Sequence, residues 1–318
     1  MIKANSTAFL FPGQGSQFVG MGRELCEAYA EARQVFAEAD EILGYPLSRI
    51  AWEGPEALLN DTIHTQPALM THSVAALRVF QKHYRGITPA YAAGHSMGEL
   101  SALVATGALP FPEALLLARR RGELMKAAGE LAPGGMAAIL GLDIPTLEAV
   151  CAEASTPEET VQVANDNCPG QVVISGAEAA LERALKGAQA AGAKRAVRLA
   201  VSIAAHSPLM RPAQQEFNRA VETAPIQDPR YPIMGNVSAQ PLTTAEEIRA
   251  DLRAQLTSRV RWTESIQYLL EKGVSVLIEL GSGSVLTGLL KRINREAVGV
   301  AVGTPADLAN LKNVISGD

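Results

Sequence analysis

Residues 90–109, AYAAGHSMGELSALVATGAL, decide how the chain is read. A short run of small and apolar residues meets Gly94-His95-Ser96-Met97-Gly98 and then passes into a dense stretch of helix formers. The pattern predicts a buried strand that turns sharply into a helix, with Ser96 at the corner. Upstream, TAFLFPGQGSQ (7–17) has the same shape, a strand at Thr7–Phe11 ending in a glycine-rich loop. Helices are expected near Arg23–Leu43, over TQPALMTHSVAALRVFQKHY (65–84) and over PEALLLARRRGELMKAAGE (112–130). Strands alternating with helices predict a parallel sheet covered by helices.

The pattern changes after Pro133-Gly134-Gly135. MAAILGL, DIPTLEAVCAEAS, TVQVANDN, QVVISGA, AEAALERALKGAQAAG and KRAVRLAV read as strand, helix, strand, strand, helix, strand. That is the order of a ferredoxin-like unit. The expected organisation is α/β: a large domain from 1–132 and 203–318, with a small subdomain inserted at 133–202. VSVLIELG supplies a late strand and SVLTGLLKRI a helix of the large domain.

Composition narrows the function. The 318 residues are 47% hydrophobic and carry 28 basic against 33 acidic side chains, a net charge of −5. This balance argues against nucleic acid as the main partner. Cys26, Cys151 and Cys168 are far apart and form no CxxC, so neither a disulfide framework nor a zinc site is expected. No apolar signal segment is read at the start. The most apolar long stretch, 100–118, carries Glu113 and two prolines and makes a poor membrane span. A cytoplasmic protein is expected.

Gly94–Gly98 fits G-x-S-x-G, in which a strained turn exposes a serine hydroxyl and the following helix aims N–H groups at developing negative charge. The alternative is a serine that merely caps that helix. A nucleophile needs a base, and the chain has five histidines. His95 adjoins the serine but points to the opposite face. His83 lies at a polar helix end, and packing or capping accounts for His72 and His64. His206, in a loop after RLAVSIAA, remains as the base by elimination. No acidic residue stands at a suitable strand end, so a Ser–His dyad oriented by a backbone carbonyl is favoured.

Helical spacing puts Ala114, Leu117, Ala118, Leu124, Met125 and Ala128 on one apolar stripe, and Arg121 falls on it. Arg119 and Arg120 point elsewhere. A cation there either snorkels or pairs structurally, or it holds a substrate carboxylate by a bidentate contact.

Taken together, these motifs resemble the malonyl-CoA:acyl-carrier-protein transacylases and the related acyltransferase domains of polyketide synthases. The resemblance runs over nearly the whole chain: FPGQGSQ (11–17), TQPAL (65–69), GHSMGE (94–99), RRRGELM (119–125), NVSAQP (236–241), VRW (260–262) and GSGSVLTGLLKRI (281–293). It implies a hydrolase-like large domain, Ser96 as nucleophile, His206 as base and Arg121 as the clamp for the malonyl carboxylate. It further implies an oxyanion hole from the N–H groups of Gln14 and Met97, and a Gln255 main-chain carbonyl that orients the base. Met125, Asn165 and Asn167 match cleft-lining positions. The implied partners are malonyl-CoA and the phosphopantetheine arm of acyl carrier protein, with no metal or redox cofactor, in a monomer serving fatty acid or polyketide synthesis. Lys186, Lys194, Arg195, Arg198, Lys291 and Arg292 are candidates for docking the acidic carrier, set against ordinary solvated surface charges. One departure stands out. SIAAH (202–206) has neither the AFH ending common in malonyl-selective acyltransferases nor the ASH ending linked to methylmalonyl, and its small residues leave strict malonyl selectivity open. A serine thioesterase, a non-catalytic carrier-binding homologue and the same transfer in another pathway, such as malonate decarboxylase, are the competing readings.

Overall fold

Two sheets organise residues 6–316, the part of the chain described by this computed structural model. The strands are β1 (Thr7–Phe11), β2 (Tyr91–Gly94), β3 (Gly134–Leu140), β4 (Val161–Cys168), β5 (Gln171–Ala177), β6 (Arg195–Arg198), β7 (Ile233–Met234), β8 (Pro241–Leu242), β9 (Val276–Leu280) and β10 (Val298–Val302). The larger sheet has the order β10-β9-β1-β2-β7-β8. It is parallel except for β8, which pairs antiparallel with β7 at one edge.

All five residues of β1 are buried, as expected for a parallel strand covered on both faces. Alternation along the strand splits them between two cores. Phe9 and Phe11 pack with the helices Ala30–Leu43, Thr62–His83, Gly98–Thr106 and Phe111–Leu131. Ala8 and Leu10 face Trp262, Ile266, Leu286 and Leu290 from the helices Trp262–Glu271 and Val285–Ile293. Phe11 lies opposite Gly94, so β1 and β2 end side by side and release their loops at the same sheet edge. That register positions the site.

The smaller sheet, in the order β4-β5-β3-β6, is antiparallel throughout. With the helices Ile144–Ala154 and Glu178–Ala190 it has the ferredoxin-like arrangement and a core of its own, which includes Ile139, Leu147, Val172, Ile174 and Leu181. One isolated parallel bridge ties β4 to the segment just before the helix Trp262–Glu271: Val260 N–H donates to Ala164 O (2.8 Å) and Asp166 N–H donates to Val260 O (2.9 Å).

The expected helix at Arg23–Leu43 is two helices, Arg23–Ala28 and Ala30–Leu43, separated by an extended Tyr29. Arg33 makes the break tolerable, because its Nη1 donates to the freed carbonyls of Cys26 (2.6 Å) and Glu27 (3.1 Å). The strand read through KRAVRLAV stops at Arg198, and the chain runs irregularly from there to the turn holding His206. Among the described residues no helix is long and apolar enough to cross a membrane.

Candidate active site

Ser96 occupies the corner between β2 and the helix Gly98–Thr106, with φ of 53°. A left-handed conformation is costly for a non-glycine residue and persists only where the surroundings impose it. Here they do. A Cβ on Gly98 would lie 2.2 Å from Phe11 O, and one on Gly94 would lie 2.0 Å from Gly98 O, so the corner closes only with glycine at both sites. Asn236, on the loop after β7, clamps the corner from outside: its Oδ1 accepts from Ser96 N–H (2.7 Å) and its Nδ2 donates to Gly94 O (2.7 Å).

His206 also has a positive φ, 58°. Its Nε2 lies 2.8 Å from Ser96 Oγ, and its Nδ1 faces the carbonyl oxygens of Gln255 (2.9 Å) and Ser258 (3.1 Å). Two acceptors at Nδ1 place the proton there and leave Nε2 free to accept the serine proton. Burial first, and the nearby Arg121 charge second, push the imidazole pKa down to about 3. The ring is therefore neutral at physiological pH. Gln162 on β4 donates to His206 O (2.7 Å) and Thr257 O (3.0 Å), so the smaller sheet helps to hold the turn.

Arg121, 1% exposed, stands on the helix Phe111–Leu131. Its Nη2 donates to Ser96 Oγ (3.1 Å) and Gln255 Oε1 (2.8 Å), and its Nη1 donates to Gln66 Oε1 (2.9 Å) and Met125 Sδ (3.2 Å). None of these partners is a carboxylate, and its Nε is buried without an acceptor. Burial lowers the guanidinium pKa to about 10, which still leaves it charged at neutral pH.

A family model for the acyl transferase domain matches residues 8–310. The malonyl CoA-acyl carrier protein transacylase of Bacillus subtilis is 47% identical over 298 residues, covering 94% of this chain and 93% of that protein. The chain belongs to the malonyl-CoA:acyl-carrier-protein transacylase family of acyl transferases. Solved structures agree. An acyl carrier protein S-malonyltransferase from Vibrio cholerae superposes with a TM-score of 0.92 at 44% identity, covering 96% of this chain and all of that one. A malonyl-transacylase solved in complex with a type II polyketide synthase acyl-carrier protein gives 0.93 at 42% identity, covering 99% of this chain and 100% of that one.

In this acyl transferase, Ser96, His206, Arg121, Met125 and Gln255 form one connected cluster. Gln14 joins it through a chain: Thr62 Oγ1 donates to Gln14 Oε1 (3.1 Å), Gln66 Nε2 donates to Thr62 Oγ1 (2.8 Å), and Gln66 accepts from Arg121. Met97 is the N-cap of the helix Gly98–Thr106, directly after Ser96. Asn165 and Asn167 lie on β4 and make no hydrogen bond to Ser96, His206 or Arg121 among the described residues. Asn167 instead pairs with His95 Nε2 (2.8 Å), which turns that histidine away from the serine. His72 is buried on Gly303 O, His64 faces Leu58 O and His83 packs on Tyr29.

Sequence reasoning gave no role to Gln66, Glu99, Gln162, Asn236 and Ser258, all of which touch the cluster. Gln66, Glu99 and Asn236 lie within TQPAL, GHSMGE and NVSAQP, so their place inside these motifs was the available signal. Gln162 and Ser258 had none, because their contacts cross the chain over 44 and 52 residues.

Proposed function

We propose that the chain transfers a malonyl group from malonyl-CoA to the phosphopantetheine thiol of an acyl carrier protein through an acyl-serine. The observation that carries this reading is Arg121: a buried cation with only neutral partners, one unfilled N–H and a nitrogen 3.1 Å from Ser96 Oγ. In a malonyl ester the free carboxylate sits two carbons from the acyl carbon, about 3–4 Å from the ester oxygen at ordinary bond lengths. With Nη2 at 3.1 Å from Ser96 Oγ, Arg121 is within reach of a carboxylate at that separation. A thioesterase for neutral acyl groups has no use for such a cation.

In the first half-reaction Ser96 Oγ forms a bond to the thioester carbon while His206 Nε2 takes its proton. The C–S bond then breaks, and the coenzyme A sulfur leaves with that proton. In the second, the carrier thiol gives its proton to His206 and attacks the ester. The C–O bond breaks and the proton returns to Ser96. The N–H groups of Gln14 and Met97 meet the oxyanion in both directions. Exchange between thioesters is nearly balanced, so the protein's task is to stabilise charge and exclude water.

The relative solved with its carrier protein supports the second half-reaction here. Of the basic residues considered for docking, Arg198 is engaged by Glu178 and Arg292 by Gln171, leaving Lys186, Lys194, Arg195 and Lys291 as the freer candidates. The small unit at 133–202 forms one wall of the cleft in this reading, and its Gln162 steadies the base. Intact-mass measurement after brief exposure to malonyl-CoA or acetyl-CoA tests the proposal. Wild type acquires a malonyl adduct that passes to added carrier protein, Ser96→Ala acquires none, and Arg121→Ala acquires it slowly. Undiminished malonyl loading of Arg121→Ala, or release of free malonate in place of transfer, overturns the reading.

A further inference from the structure

Glu99 is fully buried on the first turn of the helix behind Ser96 and has no part in the chemistry above. Its Oε2 accepts from Gln255 Nε2 (2.7 Å), while its Oε1 has no hydrogen-bond partner. Gln255 sits among three groups of the site. Its main-chain oxygen faces His206 Nδ1, its Nε2 also donates to Ser96 O (3.2 Å), and its Oε1 accepts from Arg121 Nη2 (2.8 Å). A side-chain amide turned end for end would set its NH2 against guanidinium donors and its oxygen against the Ser96 carbonyl. Glu99 Oε2 supplies a second acceptor, at 2.7 Å against 3.2 Å for Ser96 O, and decides against this flip.

We infer that Glu99 is a positioning residue for acyl-group selection: by fixing the Gln255 amide it aims the Arg121 guanidinium at the carboxylate of the incoming acyl group. This rests on the reading of Arg121 given above. The indirect route has a physical rationale. A carboxylate in direct contact with Arg121 would occupy the donors that the substrate needs, whereas an interposed amide orients the cation and leaves it unpaired. Burial and the neighbouring Asp251 hold the Glu99 carboxyl well above the usual carboxylate range. In either protonation state Glu99 Oε2 can accept from Gln255 Nε2, and no oxygen of Glu99 occupies an Arg121 donor.

The test compares loading rates from malonyl-CoA and acetyl-CoA, taken as a ratio within each variant so that a general loss of active protein cancels. Glu99→Ala is expected to lower the malonyl:acetyl ratio by about tenfold or more, the scale of a misaimed binding group. Glu99→Gln, whose amide oxygen accepts the same bond, keeps the ratio within about threefold. Gln255→Leu removes the bridging amide while keeping the main-chain carbonyl, and falls like Glu99→Ala; it carries the test should Glu99→Ala fail to fold. An unchanged ratio in Glu99→Ala or Gln255→Leu, beside a collapsed ratio in Arg121→Ala, overturns the inference and leaves the role of Arg121 standing. An unchanged ratio in Arg121→Ala removes both. A loss in Glu99→Gln equal to that in Glu99→Ala assigns the effect to charge and overturns the orienting role.

Discussion

Lowering the pH from 7.5 to 5.5 should leave the reactivity of Ser96 almost unchanged. An ordinary histidine titrates near 6.5, and at pH 5.5 about a tenth of it is neutral, which would cut a histidine-dependent reaction about tenfold. His206 is held at about 3, by burial first and by the Arg121 charge second. The displacement from 6.5 corresponds to on the order of 5 kcal/mol against the imidazolium. At pH 5.5 less than about 1% of the ring is then protonated. The assay is the second-order rate of inactivation by a neutral sulfonyl fluoride, which avoids titration of a substrate carboxylate. It should run flat from pH 7.5 to 5.5 and turn down only in more acidic buffer. Removing the second cause, in Arg121→Ala, should move the downturn toward neutral pH. A tenfold fall between pH 7.5 and 5.5 in wild type, with a midpoint near 6.5, would refute the reasoning, because the ring would then be solvated or paired with an anion in solution.

Three further outcomes follow from the same geometry. Gly98→Ala places a methyl 2.2 Å from Phe11 O, where only backbone movement relieves it; destabilisation at or above the top of the usual range of about 1–3 kcal/mol is expected in urea unfolding, with loss of the acyl adduct. Asn236→Ala removes both bonds that clamp the serine corner, so loading from malonyl-CoA and acetyl-CoA should slow together, by about a hundredfold, with their ratio intact. His72 is buried with its pKa lowered to about 4, so the unfolded chain binds more protons between pH 6.5 and 4, and the stability present above 6.5 drains away as pH falls through that window. His72→Gln should therefore lose about 2–3 kcal/mol less than wild type between pH 7.5 and 4.5, read from urea midpoints.

Much of this architecture was legible because the sheet strands are short, apolar and bounded by glycine. The strand at Thr7–Phe11 stands where the sequence placed it, and the order of elements after Pro133 predicts the sheet order that β3 to β6 adopt. Arg121 was conspicuous for a related reason: a cation on an apolar stripe violates a pattern. The break at Tyr29 was not legible, because helical periodicity runs through it and the compensation comes from the Arg33 side chain. Asn236 was marked only by its place in NVSAQP, and the other supports of the site were not legible at all. Gln162 and Ser258 meet His206 across 44 and 52 residues of chain, and neither a strand side chain nor a loop carbonyl carries a mark of the group it will meet.

Those supports explain how two strained residues persist together. Ser96 and His206 both sit at positive φ, a cost of about 1–3 kcal/mol each. Each has its backbone held from outside its own segment: Ser96 by Asn236 at the N–H and Gln255 at the carbonyl, His206 by Gln162 at the carbonyl. The holders come from the loop after β7, from the helix Ala245–Gln255 and from β4 of the smaller sheet. The hydroxyl–imidazole distance of 2.8 Å is therefore set by three separate parts of the fold, the smaller sheet among them. Loosening any one of them releases strain on one side of the pair without moving the other. On this reasoning Gln162→Leu should lower acyl loading by lengthening the Ser96–His206 approach while the large sheet and its core stay intact, and unchanged loading would show that the smaller sheet plays no part in placing His206.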